Sequence, residues 1–308
     1  MKTRPGMSAP TFDAERFRSF EKAAHDRIAD SYHAFFVPIT EHAAEPLLDA
    51  AHVGRGTRVL DVATGPGVVA AHAGARGASV VGTDISSRMV SLAARLNPGC
   101  TFQEADVESM PFAEGSFDSV VCAFGIGHFP DPGAAVGECA RVLAGGGWLA
   151  LAWWDQPARN RLQGVLLEAI QEAGAAAAQQ LPSGPPMFRY SDDDELRNLL
   201  GSAGLDRVAV ATHSFKYGIP NADALWDGAM GSLARTSALL LAQSPETQRR
   251  IRSVFDRLLA GYVSGGHIQL PMAFKIASGR RPAASSSRPE PEEDFSARVD
   301  GGRDGPSP

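Results

Sequence analysis

The chain has 308 residues, of which 44% are hydrophobic and 21% charged, and its formal net charge at pH 7 is −6. This length and apolar content suffice for one large domain, or for a core domain with a sizeable insertion. A mildly acidic chain lacks the basic surface that binds a nucleic-acid backbone, and the absence of any run of 18 apolar residues argues against a membrane span.

The start of the chain and its cysteines bear on the cellular compartment. Residues 1–12 are polar and lack the apolar segment of a secretory signal. Cys100, Cys122 and Cys139 are odd in number, and their spacing fits neither a disulfide framework nor a zinc site. We therefore expect a cytoplasmic protein without a bound metal.

The first half of the chain alternates between helical and β-type patterns. Residues 13–52 are helix-rich, and helix-compatible segments follow at 68–76, 87–96 and 133–143. Between them lie β-type runs at 57–63, 78–84, 101–106, 117–124 and 147–154. Alternation of this kind predicts a doubly wound α/β fold, with a mostly parallel sheet covered by helices on both faces.

The remainder of the chain is richer in amphipathic helices. One apolar stripe runs over 162–173, Ser191 is the predicted N-cap of a helix with Asp194 as its capping-box partner, and Asn221 and Ser244 are predicted to cap two more. Strands are predicted at 205–217 and 268–279. From Arg280 onward the composition is too polar to form a core.

These patterns define the expected domain organisation. A single domain covers 13–278, with a core at 53–156 and a helical lid or substrate region at 157–190 and 221–265. Residues 1–12 and 279–308 are expected to be disordered.

Polar residues and glycines cluster where three predicted strands end. Asp61 ends the first strand and precedes a turn containing Gly65 and Gly67, where the backbone can approach a ligand closely because no Cβ intervenes. Asp84 ends the second strand and can accept both ribose hydroxyls of an adenosine, or cap the next helix. The turn and Asp84 suit NAD as well as other adenosine cofactors.

The third strand distinguishes between these cofactors. It ends at Asp106, whose carboxylate can accept the amino group of adenine while the backbone N–H of Val107 donates to the ring. Together with the preceding features, this arrangement predicts a site for an adenosine-containing ligand at one edge of the sheet.

Five segments in order resemble the class I S-adenosylmethionine (SAM)-dependent methyltransferases, in particular the menaquinone and ubiquinone C-methyltransferases and natural-product methyltransferases. They are LDVATGPG at 60–67, GTDIS at 82–86, ADVESMPFAEGSFD at 105–118, HFPDP at 128–132 and RVLAGGG at 141–147. The resemblance implies a seven-stranded, Rossmann-like sheet with SAM across the carboxyl ends of its strands.

The resemblance also implies roles for individual residues. The methionine end of SAM would be framed by the turn after the first strand, which holds Asp61, Ala63, Thr64, Gly65 and Gly67. Asp84 would bind the ribose, and the remaining expected contacts, to the adenine and to the methionine amino group, are Ile85, Met89, Asp106, Val107, Ala123 and Phe124. Three departures from the family stand out. Relatives often carry glycine at Ala63, cysteine or serine at Thr64, and two adjacent histidines where this chain has Gly127 and His128.

The acceptor of the methyl group is less readable from the sequence. His128 follows the fourth strand and is the candidate general base. Tyr32, His33, His213 and Tyr217 are candidate acceptor contacts. The amphipathic helices predict a lid over a largely apolar pocket for a small molecule, and a homodimer contact is the alternative use of their apolar faces.

Two alternatives to a small-molecule methyltransferase were weighed. A short-chain NAD-dependent dehydrogenase would need a Tyr-x-x-x-Lys pair, and none of the four tyrosines is followed by lysine at that spacing. A methyltransferase fold that binds SAM without transferring methyl, as a regulator or a cyclase-like natural-product enzyme, stays open.

Overall fold

The computed structural model describes residues 12–176 and 181–283. The strands are β1 (Arg58–Val62), β2 (Ser79–Asp84), β3 (Thr101–Glu104), β4 (Phe117–Ala123), β5 (Leu143–Trp154), β6 (Asp206–Ile219), β7 (Val263–Ser264) and β8 (His267–Arg280). The predicted disordered ends at 1–12 and 279–308 lie largely outside the described residues.

Eleven α-helices accompany these strands within the described residues. They are α1 (Ala14–Phe35), α2 (Val37–Thr40), α3 (Ala44–Ala50), α4 (Val68–Ala75), α5 (Ser87–Leu96), α6 (Pro132–Val142), α7 (Arg161–Glu172), α8 (Asp193–Ser202), α9 (Ala222–Ser232), α10 (Ala234–Leu241) and α11 (Pro245–Leu259). None of the helices described is long and apolar enough to cross a membrane.

One sheet contains all the strands, in the order β3-β2-β1-β4-β5-β8-β6, and β7 pairs with β8. Strands β1 to β5 pair in parallel, whereas β8 is antiparallel to both β5 and β6. The predicted doubly wound, mostly parallel α/β fold is confirmed. Seven strands form the continuous path, and the eighth is a two-residue addition.

The centre of the sheet is apolar because helices cover it. Five of the seven residues of β4 are buried, and Val120 and Val121 have no exposed surface. Leu60 of β1 and Leu149 of β5 are equally buried beside them. Near-continuous apolar strands of this kind are typical of a parallel sheet buried on both faces.

Side-chain caps mark the starts of several helices in the second half of the chain. Asn221 and Ser244 accept backbone N–H groups at the starts of α9 and α11, as predicted. At α8 the N-cap is Asp192 rather than Ser191, since its carboxylate accepts two N–H groups of the first turn. Helix α10 begins without a side-chain cap, and it was not predicted as a separate helix.

The strand order creates the crevice in which a ligand can bind. β1 lies between β2 and β4. From β1 the chain continues through β2 to β3 at one edge of the sheet, and from β4 it continues to β5 in the opposite direction. In open α/β sheets, ligands bind outside the carboxyl ends of the strands at such a switch point. Helix α1 packs against α5 and α9 above this edge.

Candidate functional site

A cavity of about 820 Å³, counting its opening to solvent, lies at the carboxyl ends of β1, β2, β3 and β4; we call it the cofactor cavity. Nine of the twelve predicted cofactor residues line it: Ala63, Gly65, Asp84, Ile85, Met89, Asp106, Val107, Ala123 and Phe124. The structure therefore brings residues from four strand ends into one space.

The turn after β1 has an unusual backbone. Gly65 has a φ of 53°, and a Cβ built on it meets no atom within 4 Å, so this backbone faces open space. Ala63 has a φ of 52° and Phe124 a φ of 58°, a conformation that side chains with a Cβ rarely adopt. Strained residues of this kind concentrate at ligand-binding sites, and both of these line the cofactor cavity.

The carboxylate of Asp84 lies at the end of β2 in this cavity. Its two oxygens accept the backbone N–H groups of Gly65 and Ser86, each at 2.9 Å. Burial raises the pKa of Asp84, against the opposing effect of these hydrogen bonds and of His25 and His128. A carboxylate has about four acceptor positions, so two remain for hydroxyl donors such as those of a ribose.

Asp61 and Thr64 line a smaller cavity that adjoins the first. The Asp61 carboxylate accepts the Thr64 hydroxyl at 2.6 Å and the backbone N–H of Ala70 at 3.1 Å. Burial raises the pKa of Asp61 to about 7. Gly67 lines neither cavity; it precedes α4, where a Cβ would stand 2.6 Å from the Asn97 amide nitrogen. These residues hold the turn in place.

Asp106 is already paired on both oxygens. Arg18 of α1 lies 2.8 Å from Oδ2, and the backbone N–H of Glu108 donates to Oδ1 at 2.9 Å. Lys22 of α1 also forms an ion pair with Glu104. Charged contacts therefore hold α1 across the ends of the strands, and the amino group of an adenine would share Asp106 with Arg18.

His128, the candidate base, has a partner that the sequence did not indicate. Its Nδ1 lies 3.0 Å from Oε2 of Glu21, a residue of α1 that is 3% exposed. Burial alone would raise the pKa of Glu21, but the charge and hydrogen bond of His128, with His25 and Arg235, hold it below the ordinary value. An ionised carboxylate only accepts hydrogen bonds, so Nδ1 of His128 carries a proton, and in the neutral form of the ring Nε2 is an acceptor.

His25 completes a group of three around this carboxylate. Its ring centroid lies 5.0 Å from that of His128, and its Nδ1 donates to the Glu21 backbone carbonyl at 2.8 Å. Glu21, His25 and His128 each offer one ligand atom within 4.8 Å of the others, a spacing that a metal ion can also bridge. The second oxygen of Glu21 has no hydrogen-bond partner among the described residues.

A second cavity of about 590 Å³, counting its opening, adjoins the cofactor cavity. Its walls are mostly aromatic or apolar: Tyr32, Phe36, Phe124, Trp153, Trp154, Met187, Leu233 and Ala234. The polar residues at its surface are His25, His128, Gln163, Ser232, Arg235 and Thr236. Phe124 stacks on Trp154 with ring centroids 4.0 Å apart.

The departure at Gly127 has a steric cause. A Cβ at this position would overlap the indole of Trp153, whose Nε1 donates to the Met187 carbonyl at 2.8 Å. The indole therefore occupies the space that a histidine side chain at position 127 would need, whereas the side chain of His128 lines both cavities.

Of the four candidate acceptor contacts, Tyr32 lines both cavities, and burial raises its pKa so that it stays protonated. His33, His213 and Tyr217 line neither. His33 lies about 100° around the helix from Tyr32. On β6, at the end of the sheet, the His213 ring stacks on Phe274 at 5.3 Å and the Tyr217 ring packs beside His42.

Besides the predicted Tyr32, α1 brings three residues to this site that were not predicted. Arg18, Glu21 and His25 line the cofactor cavity and follow each other at helical spacing with Tyr32. Their helical spacing puts these polar residues on one face of the helix, between the apolar anchors Phe17 and Ile28. This periodicity could have indicated that the face lines a site.

The strand order, the glycine turn and the carboxylate at the end of β2 define the class I methyltransferase architecture. Comparison with known proteins agrees: the methyltransferase domain family matches residues 60–151. A demethylmenaquinone methyltransferase of Renibacterium salmoninarum is 31% identical over 171 residues, which cover 53% of this chain and 72% of that protein. An uncharacterized protein of Mycobacterium tuberculosis is 39% identical over 159 residues, 50% of this chain and 56% of that protein.

A solved structure with the same fold is that of a putative methyltransferase from Bacillus halodurans. It is 23% identical, with a TM-score of 0.50, and the match covers 78% of this chain and 99% of that one. The chain belongs to the class I SAM-dependent methyltransferase family, and its cofactor is SAM. The open backbone at Gly65 and the free acceptor positions of Asp84 fit that cofactor.

Proposed function

We propose that this protein transfers a methyl group from SAM to an oxygen, nitrogen or carbon atom of a small, largely apolar acceptor bound in the second cavity. The junction of the two cavities carries the proposal: His25, Tyr32, Phe124 and His128 line both. Donor and acceptor placed in these cavities would meet at the junction, which supplies the proximity that an in-line displacement needs.

The residues at the junction suit an acceptor that loses a proton. SAM, when bound, supplies a methyl group already activated by the sulfonium. His128 then accepts the proton of the acceptor on Nε2, and Glu21 stabilises the imidazolium through its hydrogen bond to Nδ1. Tyr32 and Phe124 orient the acceptor and exclude water.

The group of Glu21, His25 and His128 is assigned to proton transfer rather than to a metal ion. A divalent cation there would adjoin the positively charged sulfonium, and burying like charges together is unfavourable. Dialysis against EDTA is therefore expected to leave activity unchanged, and a loss restored by one divalent metal would contradict the assignment.

The cavity walls support an aromatic or similarly flat acceptor. Phe36 and Trp154 meet edge to face with centroids 5.9 Å apart, and Trp153 and Phe124 add two further rings. The relative from Renibacterium salmoninarum is named a demethylmenaquinone methyltransferase, which also favours an apolar acceptor.

The test is incubation with methyl-labelled SAM and a panel of phenols, naphthols and 1,3-dicarbonyl compounds, with products identified by mass spectrometry. We expect labelled product, and a decrease of about 10²–10⁴-fold in the rate for His128→Asn. The matched control is His267→Asn, which changes an exposed histidine outside both cavities. SAM that binds but is never consumed would favour the non-transferring alternative.

A further inference from the structure

The second cavity contains an arginine without an acidic partner. Arg235, in the first turn of α10, lines this cavity but not the cofactor cavity. Among the described residues, no carboxylate oxygen lies within ion-pairing distance of its guanidinium and no hydrogen bond to it is present. A half-buried guanidinium loses part of its favourable hydration energy. Binding an anion or a hydrogen-bond acceptor offsets this loss.

The guanidinium is held in one orientation by its neighbours. It stands over the Phe17 ring, with its central carbon 5.3 Å from the ring centroid. A Cβ at Gly184 would lie 2.9 Å from Nη1 and 3.0 Å from Nη2, so the chain passes close by. Neither contact is a hydrogen bond, so the N–H donors of the guanidinium are available, and these match the two oxygens of a carboxylate.

A second polar group of the same cavity is also unsatisfied. Gln163 of α7 is 7% exposed, and its Oε1 has no hydrogen-bond partner among the described residues. Thr236 adds a hydroxyl next to Arg235. Glu21 lines the cofactor cavity, where it is hydrogen-bonded to His128; the charge of Arg235 lowers its pKa, but the two side chains form no ion pair. The N–H donors of Arg235 and the acceptor oxygen of Gln163 are therefore left for a ligand.

We propose that Arg235 binds an anionic oxygen of the acceptor, a carboxylate or an ionised enol, while the apolar body of the acceptor lies against the aromatic walls. The acceptor class is thus a flat apolar acid with its nucleophilic atom at the junction with the cofactor cavity. The inference rests on the proposed function for the role of this cavity, but the binding preference does not require turnover.

The test compares two probes of the same ring system, 2-naphthoate and 2-naphthol, by calorimetry on protein saturated with S-adenosylhomocysteine. The natural chain is expected to bind the carboxylate about tenfold or more tightly, which is the usual contribution of hydrogen bonds to a charged group. Arg235→Gln should remove this preference, and Arg235→Lys should retain part of it because the charge remains.

A matched control is Arg252→Gln. Arg252 also stands over an aromatic ring, that of Trp226 at 5.2 Å, but it is paired with Asp223 and Asp256 and lies outside the cavity. This variant should keep the preference for 2-naphthoate. Binding of S-adenosylhomocysteine confirms that each variant is folded. Equal affinity of the natural chain for the two probes, or a preference that survives Arg235→Gln, would overturn the proposal, whether or not methyl transfer is observed.

Discussion

Asp84→Asn tests the cofactor site most directly. The substitution keeps the size of the side chain, but it replaces one acceptor oxygen by an NH₂ group that would face the N–H of Gly65 or Ser86. Two charge-assisted hydrogen bonds to ribose hydroxyls would be lost, each worth about 1.5–3 kcal/mol. A total of about 3–6 kcal/mol corresponds to a rise in Kd of about 10²–10⁴-fold.

Calorimetric titration with S-adenosylhomocysteine measures this effect without an acceptor. Hydroxyl donors bind the charged carboxylate, and burial raises the pKa of Asp84, so affinity should fall as the pH decreases through that raised value. Asp84→Asn should lose this pH dependence. Asp118→Asn is the matched control, because Asp118 is exposed and pairs with Arg58 near the start of β4. Unchanged affinity in Asp84→Asn would refute the assignment of this site.

Three further predictions concern single residues. Glu21→Gln should lower kcat about 10²-fold, because it weakens the hydrogen bond that supports His128, and an unchanged kcat would contradict this. Gly127→Ala should lower the free energy of unfolding by about 1–3 kcal/mol, because the new Cβ overlaps the indole of Trp153. Thermal unfolding measures this as a lower Tm, and an unchanged Tm would show that the indole moves aside. Burial raises the pKa of Asp61 to about 7, so the folded state holds a proton that the unfolded state releases near pH 4. This residue therefore costs stability as the pH rises from about 4 to about 7, by up to about 4 kcal/mol, and denaturant unfolding of Asp61→Asn should show no such decrease relative to the natural chain.

Much of the cofactor site was predictable because its determinants are local. Adjacent parallel strands end at the same edge of a sheet. The glycine turn after one strand therefore lies beside the carboxylate that ends its neighbour, independently of how the other elements pack. Asp84 and Gly65 illustrate this, since the side chain of one accepts the N–H of the other at 2.9 Å.

The acceptor side was less predictable because it depends on helix packing. His213 was a reasonable candidate from its place on a strand, but pairing of β6 with β8 directs its ring onto Phe274. His33 and Tyr32 are adjacent in sequence, and only the rotation of α1 about its axis decides which of them faces the cavities.

The sequence by itself determined the alternation of strands and helices, the cofactor class and the residues at the strand ends, because periodicity and turn chemistry act over a few residues. The tertiary structure alone decided which distant side chains meet. Glu21 and His128 are 107 positions apart, and Arg235 of α10 lines the second cavity, which His128 also lines. Their contact depends on how α1 and α10 pack over the sheet, and many sequences with the same local pattern could pack differently.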